Sequence, residues 1–540
     1  MNTMITTNSF TGLPSEGELE ALANSLFPDL DPVRCAEGTA RLTETGDTSV
    51  IYEAAQKAEN YAGSYSEYAQ LAESFGGGYY SEYEKLANVL SDGFGSYEAA
   101  PAQTGYSPAV LSETQAASYT PKTVQQAAPV SASGNVVVGT KTLEQIRADF
   151  PILKEIVNGH PLVWLDNGAT TQRPQAVIDR LSYYYTHENS NVHRGVHELA
   201  SRSTDAYENA RQITADFIGA PSKDNIVFVR GTTEGINLVA NAYVKPLLQP
   251  GDEIILSILE HHANIVPWQL VCEETGAVLK VIPCDESGQL ILSEYEKLFT
   301  KRTKFVSVTQ VSNVLGTVTP VEEIIAMAHA HGVRILIDGA QSVAHIPVNV
   351  AALDADFFVF SGHKIFAPTG IGAVYGKSEL LEAARPYHGG GNMIKDVTFE
   401  RTIYNPAPNK FEAGTGSIAD AVGLGAALEY LNAIGMPSVN KHEHELLVYA
   451  MSEMRRIPGL HLIGTASNKA SVLSFILDGY SNETVGAKLN ELGIAVRTGH
   501  HCAQPVLRRF GLEGTVRPTL ALYNSFEDID ALIKGIRTLA

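Results

Sequence analysis

Five short apolar runs constrain this chain more than any other feature: NIVFV (225–229), EIILS (253–257), KFVSV (304–308), RILID (334–338) and DFFVF (356–360). Each is too short for a helix, is rich in β-branched and aromatic residues, and lacks the polar alternation of a half-solvated strand. Segments with helical periodicity separate them. Strands buried on both faces and joined through helices form a mostly parallel sheet with helices on either side, so an α/β fold is expected. In such sheets ligands sit beyond the carboxyl ends of the strands.

Three of those ends carry candidate chemistry. NIVFV runs into RGTTEGINLVA (230–240), a glycine and two threonines (Thr232 and Thr233) before a helical pattern. Free N–H groups at a helix start, beside small hydroxyls, suit a phosphate. RILID ends on Asp338, and DFFVF leads into SGHKIFAPTGIG (361–372) with Lys364. A lysine there is partly desolvated, and desolvation lowers an ammonium pKa towards the nucleophilic range. Taken singly, these are a capped helix, a turn aspartate and a solvated loop lysine. In this order on successive strands, a phosphate cup, an acid and a lysine match the needs of pyridoxal 5′-phosphate. EHHANIVPWQ (260–269), between cup and acid, offers an imidazole, from His261 or His262, to stack on its ring.

RTGHHCAQPVL (497–507) adds Cys502, one of only four cysteines. A nucleophilic thiolate must be reachable and supported by positive charge, and Arg497, His500 and His501 are adjacent candidates. A zinc site would need ligands from separated segments, which the sequence does not offer. Cys272 and Cys284 lie in or beside apolar patterns and read as inert thiols. The four cysteines form no CxxC pair and no disulfide framework, which favours a reducing, cytoplasmic compartment.

SGHK with IDGAQ before it, EHHANIVPW, VSNVLG (311–316), GGGNMI (389–394), FEAGT (411–415) and RTGHHCA together resemble the group II cysteine desulfurases, many also active as selenocysteine lyases. The resemblance runs from about residue 141 to 540. It implies a large PLP-dependent transferase domain of the aspartate aminotransferase-like kind (141–400) and a smaller C-terminal α/β domain (401–540) carrying the cysteine. It also implies a homodimer, a sulfur-acceptor protein and conversion of L-cysteine to L-alanine. Lys364 would hold the cofactor covalently and Cys502 would take the sulfur. His261 would stack on the ring, Asp338 pair with its nitrogen and Gln341 contact its phenolic oxygen. Thr232, Thr233, Ser361 and His363 would bind phosphate, with Thr415 reaching the partner subunit's phosphate. Asn313, Arg517, Arg497 and His193 would bind substrate. Gly416 and Pro518 depart from the family's usual residues, the second beside Arg517. The runner-up reading is a selenocysteine lyase or cysteine sulfinate lyase with an untargeted, solubilising tail.

Residues 1–140 differ in kind. They hold 17 of the acidic residues against 5 basic ones, in a chain of net charge −21, and 10 of the 23 tyrosines. An acidic surface of this size argues against nucleic acid as a partner. YSEYAQLAESFGGG (65–78) and YSEYEKLANVLSDG (80–93) repeat, and ALANSLFPDL (21–30) echoes them. Such units are too short to bury a core alone. The region is expected to be disordered, either a solubilising tail or a set of docking motifs with avidity from repetition. It resembles the N-terminal regions of desulfurases carried as cargo in family 2 encapsulin shells, which implies a place inside such a nanocompartment. The start MNTMITTNSFTG lacks a basic and an apolar region, so no secretory signal is expected, and no apolar run is long enough for a membrane span.

Overall fold

The computed structural model describes residues 136–193 and 195–539, so the readings made for residues 1–135 lie outside the described residues. The main elements in chain order are α1 (Gln175–His187), α2 (Glu198–Ile218), β1 (Ile226–Val229), α3 (Thr232–Leu238), β2 (Glu253–Ser257), α4 (Val266–Thr275), β3 (Val278–Ile282), β4 (Thr303–Thr309), α5 (Val321–Ala330), β5 (Arg334–Asp338), β6 (Phe357–Ser361) and β7 (Gly372–Gly376). After a hairpin, β8 (Ile394–Val397) and β9 (Thr402–Tyr404), come α6 (Ile418–Ile434), α7 (Met436–Met454), β10 (Leu460–Ile463), β11 (Ser474–Leu477), α8 (Asn482–Glu491), β12 (Arg497–Gly499), α9 (Gln504–Arg509), β13 (Thr515–Arg517) and α10 (Phe526–Arg537).

The larger sheet has seven strands in the order β1-β7-β6-β5-β4-β2-β3. β7 runs antiparallel to both its neighbours, and the other pairings are parallel. Both faces are covered, and the side-chain period of two sorts residues between them. Ile335, Ile337, Phe358 and Phe360 face one core with α6, while Leu336, Phe357 and Val359 face the other with α3 and α4. These side chains are all at most 1% exposed, and each such burial contributes about 1.5–3 kcal/mol. Helix α2 starts where the His197 side chain accepts from the Ala200 N–H at 3.2 Å. It stops at Gly219, whose φ of 68° is left-handed and where a Cβ would sit 2.6 Å from Asn349.

The smaller sheet is antiparallel, in the order β10-β11-β13-β12. Its core joins Leu446 and Leu447 of α7, Leu489 of α8 and Ile529, Leu532 and Ile536 of α10 to Phe475 and Val516. Val163–Trp164 pairs with Ile494–Ala495, which brings this stretch ahead of α1 onto the smaller part, where Leu165 joins its core. Helix α6 is almost wholly buried and packs with α1 and α2 against the larger sheet, because its apolar residues surround the axis instead of forming one stripe. Among the described residues no helix is long and apolar enough to cross a membrane.

Candidate active site

A cavity of about 300 Å³ opens at the carboxyl ends of β1, β4, β5 and β6. At one end the first turn of α3 meets the end of β6: the Thr232 N–H donates to Ser361 Oγ at 2.8 Å, and the two hydroxyls are 2.8 Å apart. Thr233 and His363 join them on the wall. Burial, then the charges of Lys364 and Arg173, hold His363 down to about 4, so its imidazole is neutral.

Asp338 closes β5, aligned between Thr309 and Val359 of the flanking strands. Its Oδ1 accepts from the Ala340 N–H at 2.9 Å. Burial pushes its carboxyl above the usual range, opposed by that hydrogen bond and by Lys364. Lys364 ends the tight turn Gly362–Lys364 after β6. Burial lowers its ammonium to about 8, with Asp338 acting against the fall and Arg517 adding to it. Gln341 lines the same wall and donates from Nε2 to the Gly168 carbonyl at 2.7 Å.

His261 caps the turn after β2, its Nδ1 accepting from the Ala263 N–H at 3.0 Å, which leaves the ring proton on Nε2. Burial and the Lys364 charge hold it down to about 3. Glu260, fully buried beneath it, accepts from the Thr309 N–H at 3.0 Å, from Asn264 Nδ2 at 2.6 Å and from the Ser257 hydroxyl. Burial nevertheless pushes Glu260 up to about 8. These ties fix the loop that presents His261.

At the other end Arg517, 3% exposed on β13, donates from Nη1 to the Asn313 carbonyl at 2.9 Å. Its Nε and Asn313 Oδ1 are buried without a partner. Burial lowers Arg517 to about 10, so it stays charged at neutral pH. Arg497 donates to Asp166 from Nη2 at 2.7 Å and from Nε at 3.1 Å, and Asp166 also lies 3.7 Å from Arg517 Nη2. Sequence reasoning missed Asp166. Its signal, an acid closing the apolar run VWLD ahead of a glycine, is faint, and its partners are more than 300 residues away.

Cys502 lies on this wall, in a turn where His501 and Cys502 both adopt left-handed backbone, φ 51° and 53°. That conformation costs about 1–2 kcal/mol per non-glycine residue. The positive support expected from His501 is absent. His501 is 8% exposed, Nε2 bonds to Thr515, and burial with the Arg517 charge holds it down to about 3, hence neutral. Positive charge near Cys502 comes instead from Arg497, Arg517 and Lys364. His193 does not line the cavity. Its left-handed backbone turns it to Glu208, 3.1 Å from Nε2. Thr415 is exposed and also outside this chain's cavity wall. Among the described residues no cluster of three His, Cys, Asp or Glu side chains is placed to hold a metal ion. Burial raises Cys272, to about 11, and Cys284, which disfavours both thiolates.

The donor set fits pyridoxal 5′-phosphate. Hydroxyls and backbone N–H at the start of a helix suit the phosphate, a buried carboxylate suits the ring nitrogen, and a lysine of lowered pKa suits the aldehyde. The orphaned Arg517 Nε and Asn313 Oδ1 call for a polar ligand beside it.

Residues 163–532 match the aminotransferase class-V family. The chain is similar to a cysteine desulfurase of Synechococcus elongatus, 63% identical over 74% of this chain and 63% of that protein, so it spans less than two thirds of that relative's length. It is similar to a probable cysteine desulfurase of Vibrio cholerae, 48% identical over 73% of this chain and 97% of that protein. The fold matches the crystal structure of the cysteine desulfurase CsdA from Escherichia coli, with an S-sulfonic acid, at a TM-score of 0.69 and 40% identity over 73% of this chain and 98% of that one. With that wall of residues around one cavity, the chain belongs to the aminotransferase class-V family, a pyridoxal 5′-phosphate-dependent family, and within it to the cysteine desulfurases.

Proposed function

We propose that the protein converts L-cysteine to L-alanine and keeps the sulfur as a persulfide on Cys502. The observation that carries this reading is the placement of Lys364, Asp338, Arg517 and Cys502 on one cavity wall. Bound there, pyridoxal 5′-phosphate supplies an electron sink for the charge left when Cα loses its proton. Thr232, Thr233, Ser361 and His363 hold its phosphate, Asp338 pairs with its nitrogen, Gln341 meets its phenolic oxygen and His261 covers its face. Arg517 binds the substrate carboxylate through its planar fork, with Asn313 beside it. Lys364, with its pKa near 8, takes the Cα proton. The Cys502 thiolate forms a bond to the substrate sulfur while the Cβ–S bond breaks, its electron pair staying with Cβ; Cβ takes one proton, Lys364 returns its proton to Cα, and alanine leaves. Relative rates on L-cysteine, L-selenocysteine and L-cysteine sulfinate test the substrate. A clear preference for either of the last two overturns desulfuration as the principal activity.

The working unit of this reading is a homodimer in the cytoplasm. Phe399, on the turn between β8 and β9, and Val196 are fully exposed apolar residues, and Thr415 is exposed and does not line its own chain's cavity, which leaves it free to serve a second copy's phosphate. Phe399→Asp is expected to shift the mass in solution towards a monomer and to lower activity with it. An unchanged mass contradicts the dimer face.

Residues 1–140 direct the enzyme into an encapsulin shell in this reading, supported by their acidic composition and repeated units. A sulfur-acceptor protein then draws on the Cys502 persulfide. Deleting 1–140 is expected to abolish co-purification with a co-expressed shell protein. Unchanged loading refutes the targeting role and leaves a solubilising tail.

A further inference from the structure

Two histidines outside the reaction just described hold the backbone of Cys502 between them. His500 Nδ1 accepts from the Cys502 N–H at 3.0 Å. From the other side, the His262 N–H donates to the Cys502 carbonyl at 2.7 Å, and His262 Nε2 accepts from the Gln504 N–H at 3.4 Å. The two rings stack, 5.7 Å apart at 25°. Both backbone groups of Cys502 are therefore satisfied by this pair. One histidine belongs to the loop after β2, the other to the loop between β12 and α9. His500 Nδ1 must lack a proton to accept, which leaves the ring proton on Nε2. His262 in turn carries its proton on Nδ1. Burial lowers the His262 pKa, which favours a neutral ring there. The turn they hold has left-handed backbone at His501 and Cys502, a conformation that persists only where surrounding contacts impose it.

We propose that His262 and His500 are positioning residues, a stacked latch that keeps Cys502 in its left-handed turn on the cavity wall. The proposal rests on Cys502 being the sulfur-accepting thiol. Its function is to hold that thiol at the cavity against the pull of the strained turn. Neither histidine transfers a proton to substrate.

The test uses the full-length holoenzyme with two readouts, the rate of alanine formation and the rate of Cys502 alkylation by iodoacetamide located by mass spectrometry. His500→Ala removes both acceptor and stack. It is expected to lower kcat about tenfold with a smaller change in KM, and to speed alkylation about fivefold as the turn leaves the wall. His500→Asn restores an acceptor to the Cys502 N–H, because an Asn side chain bonds the N–H two residues on. It is expected to recover kcat to within about threefold of the parent. His262→Ala is expected to speed alkylation as well, and the double variant to do no more than the larger single change, since the rings act as one unit. Alkylation unchanged in both alanine variants, or His500→Asn as impaired as His500→Ala, overturns the latch. If the parent enzyme makes no alanine, the desulfurase reading fails, while the alkylation rates still decide whether the latch exists.

Discussion

Arg517 and Asn313 are bound to each other and to the cysteine loop in series. Arg517 Nη1 donates to the Asn313 carbonyl at 2.9 Å, and Asn313 Nδ2 donates to the His501 carbonyl at 2.7 Å. The guanidinium that would grip a substrate carboxylate thus sits two hydrogen bonds, through Asn313, from the loop that would take its sulfur. The remaining Arg517 Nε and Asn313 Oδ1 are buried and unpaired, ready for a ligand.

Arg517→Lys is expected to raise KM for L-cysteine about 10- to 100-fold with a smaller change in kcat. A lysine cannot supply two parallel N–H groups, and charge-assisted hydrogen bonds contribute about 1.5–3 kcal/mol. Steady-state kinetics check this; a KM within twofold of the parent would place the carboxylate elsewhere.

Lys364→Ala is expected to lower turnover by about 10²–10⁴-fold, the contribution of a positioned acid–base group. Borohydride treatment should then leave no cofactor covalently fixed to the chain, read by the mass of the intact protein. A fixed adduct on another lysine would contradict the assignment.

Arg211 is buried and pairs with Glu412 at 2.6 and 2.9 Å, while the Phe228 N–H donates to the same carboxylate at 2.8 Å. Glu412, in the stretch FEAGT, therefore ties α2 to β1. Arg211→Met leaves this largely buried carboxylate without its cation, held only by the Phe228 N–H and the Tyr207 hydroxyl. It is expected to cost about 3–5 kcal/mol, measured from the denaturant midpoint. The further change Glu412→Leu should recover part of that loss.

Lys469 is buried, donates to the Leu315 carbonyl and has no acidic partner among its described contacts. Burial lowers its ammonium to about 7 from an ordinary value of 10.5. Between those pH values the unfolded chain binds more protons than the folded one, so this residue makes stability rise with pH across that window. Lys469→Met is expected to flatten the rise in Tm between pH 7 and 10 relative to the parent. An unchanged slope would mean that the amine is charged in the folded protein.

Much of the larger sheet was legible because its central strands are buried on both faces. EIILS and RILID coincide with β2 and β5, and the other three runs differ from their strands by one residue or so at an end. β7, GAVYG, escaped notice because glycines bound it and leave only Ala373, Val374 and Tyr375 as an apolar run, and it is the antiparallel member of the sheet. β3, VLKVI, escaped because an edge strand with exposed Val278 and Val281 has no continuous buried run. The convergence of Asp338, Lys364 and Thr232 on one wall was legible because strand ends converge by rule, whereas Ser361 was offered only by the family resemblance. The Asp166–Arg497 pair was not, since it depends on how the smaller sheet docks. The neutrality of His501 was equally hidden, because charge follows burial and burial is a tertiary property. His193 fails to reach the cavity wall for a local reason, its left-handed backbone.

The central claim is that Cys502 accepts sulfur from L-cysteine. The most direct test is alanine formation from L-cysteine by the holoenzyme and by Cys502→Ala, with the parent's Cys502 peptide weighed after turnover. The account predicts alanine from the parent, one added sulfur on that peptide, and loss of alanine formation in the variant with its cofactor retained. Normal turnover by Cys502→Ala would contradict it.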